Sequence, residues 1–147
     1  MIDNKISIIG GSGFVGTRLK KRFRKNKIFY KIFDINVKTN EDIYLDVEDL
    51  NSLNQINGLD TIINLAAVHR DDVRPLSRYD DVNVQGAKNI CEAACKHGIN
   101  KIIFTSSVAI YGFAPADTDE FGEPNYFNDY GRTKYLAEQV YKAWQAE

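Results

Sequence analysis

A glycine cluster at a change of periodicity narrows the possible folds more than any other feature. KISIIG (5–10) is short, apolar and β-branched, as a buried strand is. FVGTRLKKRFRKN (14–26) follows, with Val15, Leu19 and Phe23 four residues apart and cations between them. That spacing predicts an amphipathic helix. At the junction Gly10, Gly13 and Gly16 recur as G-x-x-G-x-x-G within GGSGFVG. In a tight strand-to-helix turn one glycine permits positive φ and a second lets a ligand approach the backbone. A third lets helix and strand pack closely. A chain built this way starts a β-α-β unit, and so a parallel sheet.

The alternation continues to the end. IFYKIFDI (28–35) predicts a second strand, EDIYLDV (41–47) a weaker third, and 48–56 a short helix. LDTIINLAAV (59–68) predicts a fourth strand, apolar on both faces and so covered on both. Val84, Ala87, Cys91, Ala94 and Cys95 place a long helix over 79–97, with Gly98 as its stop. KIIFTSSVAIYG (101–112) reads as the fifth strand and its exit, and 113–128 as a loop. A last helix runs from about Tyr130 with Leu136, Val140 and Trp144 on one side. The expected fold is α/β, a doubly wound parallel sheet of about five strands, Rossmann-like, forming one nucleotide-binding domain over 1–147. Six strands are usual for such a sheet, and the final helix meets no stop signal before Glu147. The expectation is the front part of a longer protein.

Composition removes several function classes. With 19 Lys+Arg against 20 Asp+Glu, the net charge of −1 does not suit a polyanion, so no nucleic-acid partner is expected. The basic run from Arg18 to Lys27 reads as a solvated helix face. Nowhere do about 18 apolar residues run together, so no membrane span is expected. MIDNKISIIGG has no leader-like pattern, and a cytoplasmic protein is expected. Cys91 and Cys95 sit one turn apart and read as two buried free thiols. No His/Cys/Asp spacing completes a metal shell, so no metal is expected.

The candidate residues fall into two groups. Around the glycine turn, Gly10, Gly13 and Gly16, with Phe14 and Val15 at the helix start, form a phosphate cradle whose helix N–H groups face an anion. Asp34, 24 residues past Gly10 at the end of the second strand, suits the adenosine ribose hydroxyls and would repel a 2′-phosphate. That favours NAD over NADP. Asp46 and Val47 could flank the adenine. The second group is Tyr130-Gly131-Arg132-Thr133-Lys134, a Y-x-x-x-K at a helix start. Four residues place both side chains on one face. A nearby ammonium lowers a phenol pKa from about 10 and makes Tyr130 a usable base. Ser106 and Ser107 end the fifth strand, where ligands of parallel sheets bind.

In this order the pieces GGSGFVG, Asp34, LDV (45–47), NLAA (64–67), NVQG (83–86), SSVAIYG (106–112) and YGRTK (130–134) resemble the extended short-chain dehydrogenase/reductases. These are the NAD-dependent epimerase/dehydratases of nucleotide sugars, and the likeness is to their N-terminal half. The resemblance implies tightly held NAD and Ser107, Tyr130 and Lys134 as the active-site triad. It also implies that Leu65, Ala66 and Ala67 line the cofactor and that Asn83 supports the site, with Tyr130 and Lys134 also touching the cofactor. Family 4,6-dehydratases carry an Asp-Glu pair directly after the catalytic Ser/Thr, whereas Val108-Ala109 stands here. The pattern is more similar to UDP-sugar 4-epimerases, which work through a 4-keto sugar. A sugar reductase or dehydrogenase would use the same triad, and a non-catalytic NAD sensor would keep only the cradle. The substrate implied is a nucleotide-diphosphate sugar. The assembly implied is a homodimer or larger, through Val84, Cys91, Val140 and Trp144. An apolar edge at Ile102, Ile103 and Phe104 adds to that expectation. The chain alone is expected to be inactive.

Overall fold

The computed structural model describes residues 5–146. The opening MIDN, read above as free of a leader, and Glu147 lie outside the described residues. Packing divides the chain into two compact units. One runs to Ala66 and resumes over Asn89–Thr105; the other comprises Ala67–Lys88 and the chain from Ser106 onward.

The first unit holds the sheet. Its strands are β1 (Ile6–Ile9), β2 (Tyr30–Asp34), β3 (Asp42–Tyr44), β4 (Thr61–Asn64) and β5 (Ile102–Phe104). All pairings are parallel, and the order is β3-β2-β1-β4-β5. Successive connections move one way from β1 to β3 and then reverse, which makes β1/β4 the switch point of a doubly wound sheet. The helices are α1 (Phe14–Lys25), α2 (Leu50–Leu53) and most of α4 (Gly86–Lys96), with α3 (Ser77–Tyr79) and α5 (Asp129–Ala146) in the second unit. Ile8, Ile32, Phe33, Ile62 and Ile90 lose essentially all their exposure. Every residue of β4 is buried, as its two-sided apolar run predicts. β5 ends the sheet among the described strands, and Ile103 is exposed there.

Three expectations change. Val15 is exposed, and Gly16 is the buried residue of α1. The helix approaches the sheet through a residue without a side chain, because a Cβ on Gly16 would overlap the Gly11 backbone. Cys91 is buried but Cys95 is exposed, so the pair is not two buried thiols. The long helix over 79–97 is three pieces: α3, a π-helical stretch Asp80–Gln85, and α4. Apolar residues on either side of the π stretch still fall three or four apart, so periodicity does not reveal it. Gly98, with φ of 65°, ends α4 as predicted.

In the second unit, Val108–Tyr111 forms a 3-10 turn and α5 closes the chain. Gly112 (φ 58°) follows, and a Cβ there would overlap the Asn125 carbonyl. Asn125 N–H donates to Ile110 O at 2.8 Å, so the loop returns against the turn it leaves. Phe113 and Phe127 stack across the loop at 4.7 Å.

Candidate functional site

The first unit builds a cradle from backbone. Gly10 has φ of 76°, and a Cβ on it would sit 2.6 Å from the Ala66 nitrogen. The glycine turn and the segment after β4 therefore approach more closely than any side chain permits. Leu65 N–H donates to Ile9 O at 2.8 Å, and Ala66 N–H to Asn64 Oδ1 at 3.0 Å, which fixes that segment. Gly13 begins α1 without a capping side chain. Unpaired first-turn N–H groups carry partial positive charge and suit an anion. Phe14 and Val15, expected at the cradle, are exposed, and the Arg18 guanidinium lies 3.5 Å over the Phe14 ring. Asp34 is buried at the end of β2. Its Oδ2 accepts Ser12 N–H at 3.0 Å and its Oδ1 accepts Asn36 N–H at 2.8 Å. Each carboxylate oxygen keeps a lone pair after that, and ribose hydroxyls can donate to them. Bare glycines, an uncapped helix start and a strand-end carboxylate together fit a dinucleotide. Asp46 accepts Glu48 N–H at 3.0 Å, and Val47 is buried with its carbonyl receiving Asn89 Nδ2 at 2.8 Å.

Sequence reasoning missed Asp42 in this unit. Its carboxylate accepts from Ser12 Oγ at 2.9 Å, from the backbone N–H of Lys38 and Thr39, from Thr39 Oγ1 and from Lys20 Nζ. Lys38 Nζ returns to Ser12 O at 2.8 Å. Burial pushes the Asp42 carboxyl up, but hydrogen bonds from Thr39, the Lys38 backbone, Ser12 and Lys20 outweigh it and hold the pKa at about 2. Asp42 thus ties the glycine turn to the connection before β3. Its partners Ser12 and Lys20 are distant in sequence, so no local spacing reports the link.

The second unit assembles side chains. Tyr130 and Lys134 lie one turn apart on α5. Asn128 caps the helix, its Oδ1 accepting Gly131 N–H at 2.8 Å. A Cβ on Gly131 would overlap the Ala109 carbonyl, so α5 meets the 3-10 turn at backbone contact. That contact brings the segment that starts at Ser107 against the residue next to Tyr130. Ser107 caps the turn, its Oγ accepting Ala109 N–H at 3.1 Å, which leaves the hydroxyl proton to donate. Tyr130 is half-buried and Lys134 is 3% exposed. Burial lowers the Lys134 pKa from the ordinary lysine range to about 8, and Glu138 opposes that shift.

Asn83 sits in the π stretch and is buried. Its Oδ1 accepts Val68 N–H at 2.8 Å, and its Nδ2 donates to Val68 O at 2.9 Å and to Thr133 Oγ1 at 3.0 Å. The amide is spent on bracing Val68 and Thr133. Ala67, in the same unit, is half-buried. The bidentate pair of Arg132 with Asp80 joins residues 52 apart, so no local spacing reports it. Val108, directly after Ser107, is exposed, and its side chain cannot transfer a proton. No group of three or more His, Cys, Asp or Glu among the described residues could hold a metal. No helix among them is long and apolar enough to cross a membrane.

The chain is similar in sequence and in fold to known proteins. The N-acetyl-alpha-D-glucosaminyl-diphospho-ditrans,octacis-undecaprenol 4-epimerase of Escherichia coli O157:H7 is 42% identical over 97% of this chain and 44% of its own length. The structure of MoeE5 in complex with UDP-glucose and NAD is 26% identical, with a TM-score of 0.87 over 97% of this chain and 50% of that one. UDP-glucose 4-epimerase from Brucella ovis in complex with NAD shares the fold, with a TM-score of 0.88 at 24% identity, over 97% of this chain and 48% of that one. The chain thus spans about half the length of the relatives it matches. Residues 6–147 match the model of the NAD dependent epimerase/dehydratase family. A parallel sheet wound about a glycine cradle, a strand-end acid and a Ser/Tyr/Lys set in the expected order lead to the same conclusion: the chain belongs to the NAD dependent epimerase/dehydratase family.

Proposed function

We propose that this protein works in NAD-dependent 4-epimerisation of a sugar carried on a diphosphate. The observation that carries the reading is 42% identity, across nearly the whole chain, to a 4-epimerase of a diphosphate-linked sugar. The Ser107, Tyr130 and Lys134 set is present, and Val108-Ala109 stands where a dehydratase needs acid and base. The first unit's residues would hold NAD: the Gly10–Gly16 turn at the pyrophosphate, Asp34 at the adenosine ribose, Leu65 and Ala66 alongside. NAD, when bound, supplies the hydride acceptor and donor.

The chain's own side chains handle the proton. Tyr130 removes the proton of the sugar's 4-hydroxyl and later returns it. Ser107 donates its free hydroxyl proton to the same oxygen and holds it while C4 is a ketone. Lys134, buried and cationic below about pH 8, stabilises the Tyr130 phenolate. Turning the keto sugar between the two transfers inverts C4, and no second acid–base pair is needed. A dehydrogenase would share these steps up to the ketone and stop there.

The carrier has two readings. UDP is the one the sequence pattern suggests; the E. coli relative acts on an undecaprenol-linked diphosphate, which favours a polyprenyl carrier. The intact gene product should be assayed with UDP-N-acetylglucosamine and with its undecaprenyl-diphosphate counterpart. C4 inversion of either supports the epimerase reading and names the carrier. Net NAD reduction without inversion overturns it in favour of a dehydrogenase. The 147-residue chain by itself is expected to bind NAD weakly and to give no turnover; robust epimerisation by that chain would refute the expectation. A homodimer is proposed through the half-buried Val84, Val140 and Trp144, with the buried Cys91 no longer a contact. Sedimentation of a clean monomer at high concentration would remove that proposal.

A further inference from the structure

We propose that Asp80, acting through Arg132, is a positioning residue that fixes the axial rotation of α5 and with it the aim of Tyr130 and Lys134. The inference rests on the reading of those two residues given above. Asp80 starts the π stretch, and each of its carboxylate oxygens receives one arm of the Arg132 guanidinium, at 2.9 and 2.6 Å. Arg132 Nε donates to Asp129 Oδ1 at 3.1 Å, so the fork is held from the helix side as well. The next residue, Thr133, receives Asn83 Nδ2 at 3.0 Å from the same π stretch, and its hydroxyl donates to Asp129 O at 2.8 Å.

One attachment leaves a helix free to turn about its axis, whereas two attachments at different azimuths do not. Arg132 and Thr133 are about 100° apart around α5, and both are pinned to one short segment. Tyr130 and Lys134 each lie two residues from Arg132, roughly 200° around, on the far side of the helix. A phenolic oxygen stands about 9 Å from a helix axis, so a turn of about 10° would move it roughly 1.5 Å. Displacements of about 1 Å at a reacting group can cost around a hundredfold in rate. The pair is partly exposed, with side-chain exposures of 30% and 47%, and contributes little to stability. Its planar, two-point geometry specifies orientation, which a point charge would not.

The test uses Asp80→Ala, Asp80→Glu and Arg132→Lys in the intact gene product. It reads kcat and KM, and the titration of the Lys134 side chain by carbon-13 NMR. Asp80→Ala should lower kcat by about 10- to 100-fold, leave KM within about twofold, and move the Lys134 titration from about 8 toward its ordinary range. Asp80→Glu, which keeps the pair, should retain most of kcat and the Lys134 value. Unchanged kcat in folded Asp80→Ala overturns the inference, and so does a fall in kcat with Lys134 unmoved. If Asp80→Ala does not fold, Arg132→Lys carries the same two readouts with the charge retained. If the parent protein shows no turnover, the functional reading fails, and the Lys134 titration still decides the positioning role.

Discussion

The glycine cradle of the first unit and the Ser107, Tyr130 and Lys134 set of the second, to which proton transfer is assigned above as a proposal, are held in place by different means. At the glycine turn the shaping atoms are backbone: positive φ at Gly10, close approach at Gly10 and Gly16, and N–H groups of Ser12 and Asn36 captured by Asp34. Around α5 one backbone contact, at Gly131, is joined by side chains: Asn128 at the cap, Asn83 on Thr133, Asp80 on Arg132. Backbone shape is encoded by which residues lack a side chain. Side-chain bracing is encoded by pairs far apart in the chain. Glycines at backbone contact tolerate little substitution in either unit, whereas the braces of α5 should tolerate changes that keep their pairing.

The largest effect expected is on chemistry alone. In the intact gene product, Tyr130→Phe takes away the proton acceptor proposed above and should cut epimerisation by about a thousandfold or more, while NAD titration of the variant stays near the parent value. If NAD binding falls with turnover, the separation of holding and proton transfer between the two units breaks down. Next come two matched glycine changes. Gly16→Ala and Gly131→Ala each place a methyl on a backbone carbonyl, of Gly11 and Ala109 respectively. Each should cost about 1–3 kcal/mol in thermal or denaturant unfolding. Their functional losses should differ in the intact gene product: Gly16→Ala should weaken NAD binding, and Gly131→Ala should lower kcat with NAD binding retained.

A third expectation concerns acid. The folded-state pKa of Asp42 lies at about 2, below the unfolded value of about 4. The unfolded chain therefore binds the proton first as pH falls. The stabilisation is fully present above about pH 4 and is lost as pH falls through 2; it is worth roughly 2 kcal/mol. Asp42→Asn should remove most of that acid dependence and loosen the glycine turn, which acid titration of unfolding with and without NAD would show. A fourth expectation has the same sign at the alkaline end. Lys134, depressed to about 8 by burial, is charged below that pH at a cost. Between about pH 8 and 10 the unfolded chain holds the proton that the folded chain has released, so Lys134 should add stability as pH rises. Lys134→Met should flatten that rise.

Much of the first unit was legible from local pattern. Gly10, Gly13 and Gly16 sit where a strand gives way to a helix, and Asp34 ends the next strand. The exposed Val15 shows the limit: a four-residue spacing marks a helix, but not which face a glycine has already claimed for close packing. In the second unit Ser107, Tyr130 and Lys134 were legible as residue types in order. The π stretch and the Asp80–Arg132 brace were not, because the brace joins residues 52 apart and the π stretch leaves the apolar spacing unchanged.

The sequence by itself determined the strand and helix alternation, the glycine turn and the identity of the groups able to move a proton. Those are consequences of periodicity, missing side chains and intrinsic chemistry, all local to the chain. Tertiary structure alone decided that Asp42 binds the glycine turn, that Lys134 is buried enough to titrate near 8, and that two adjacent residues of α5 are pinned to one π-helical segment. Desolvation and long-range hydrogen bonding exist only once distant segments are packed together.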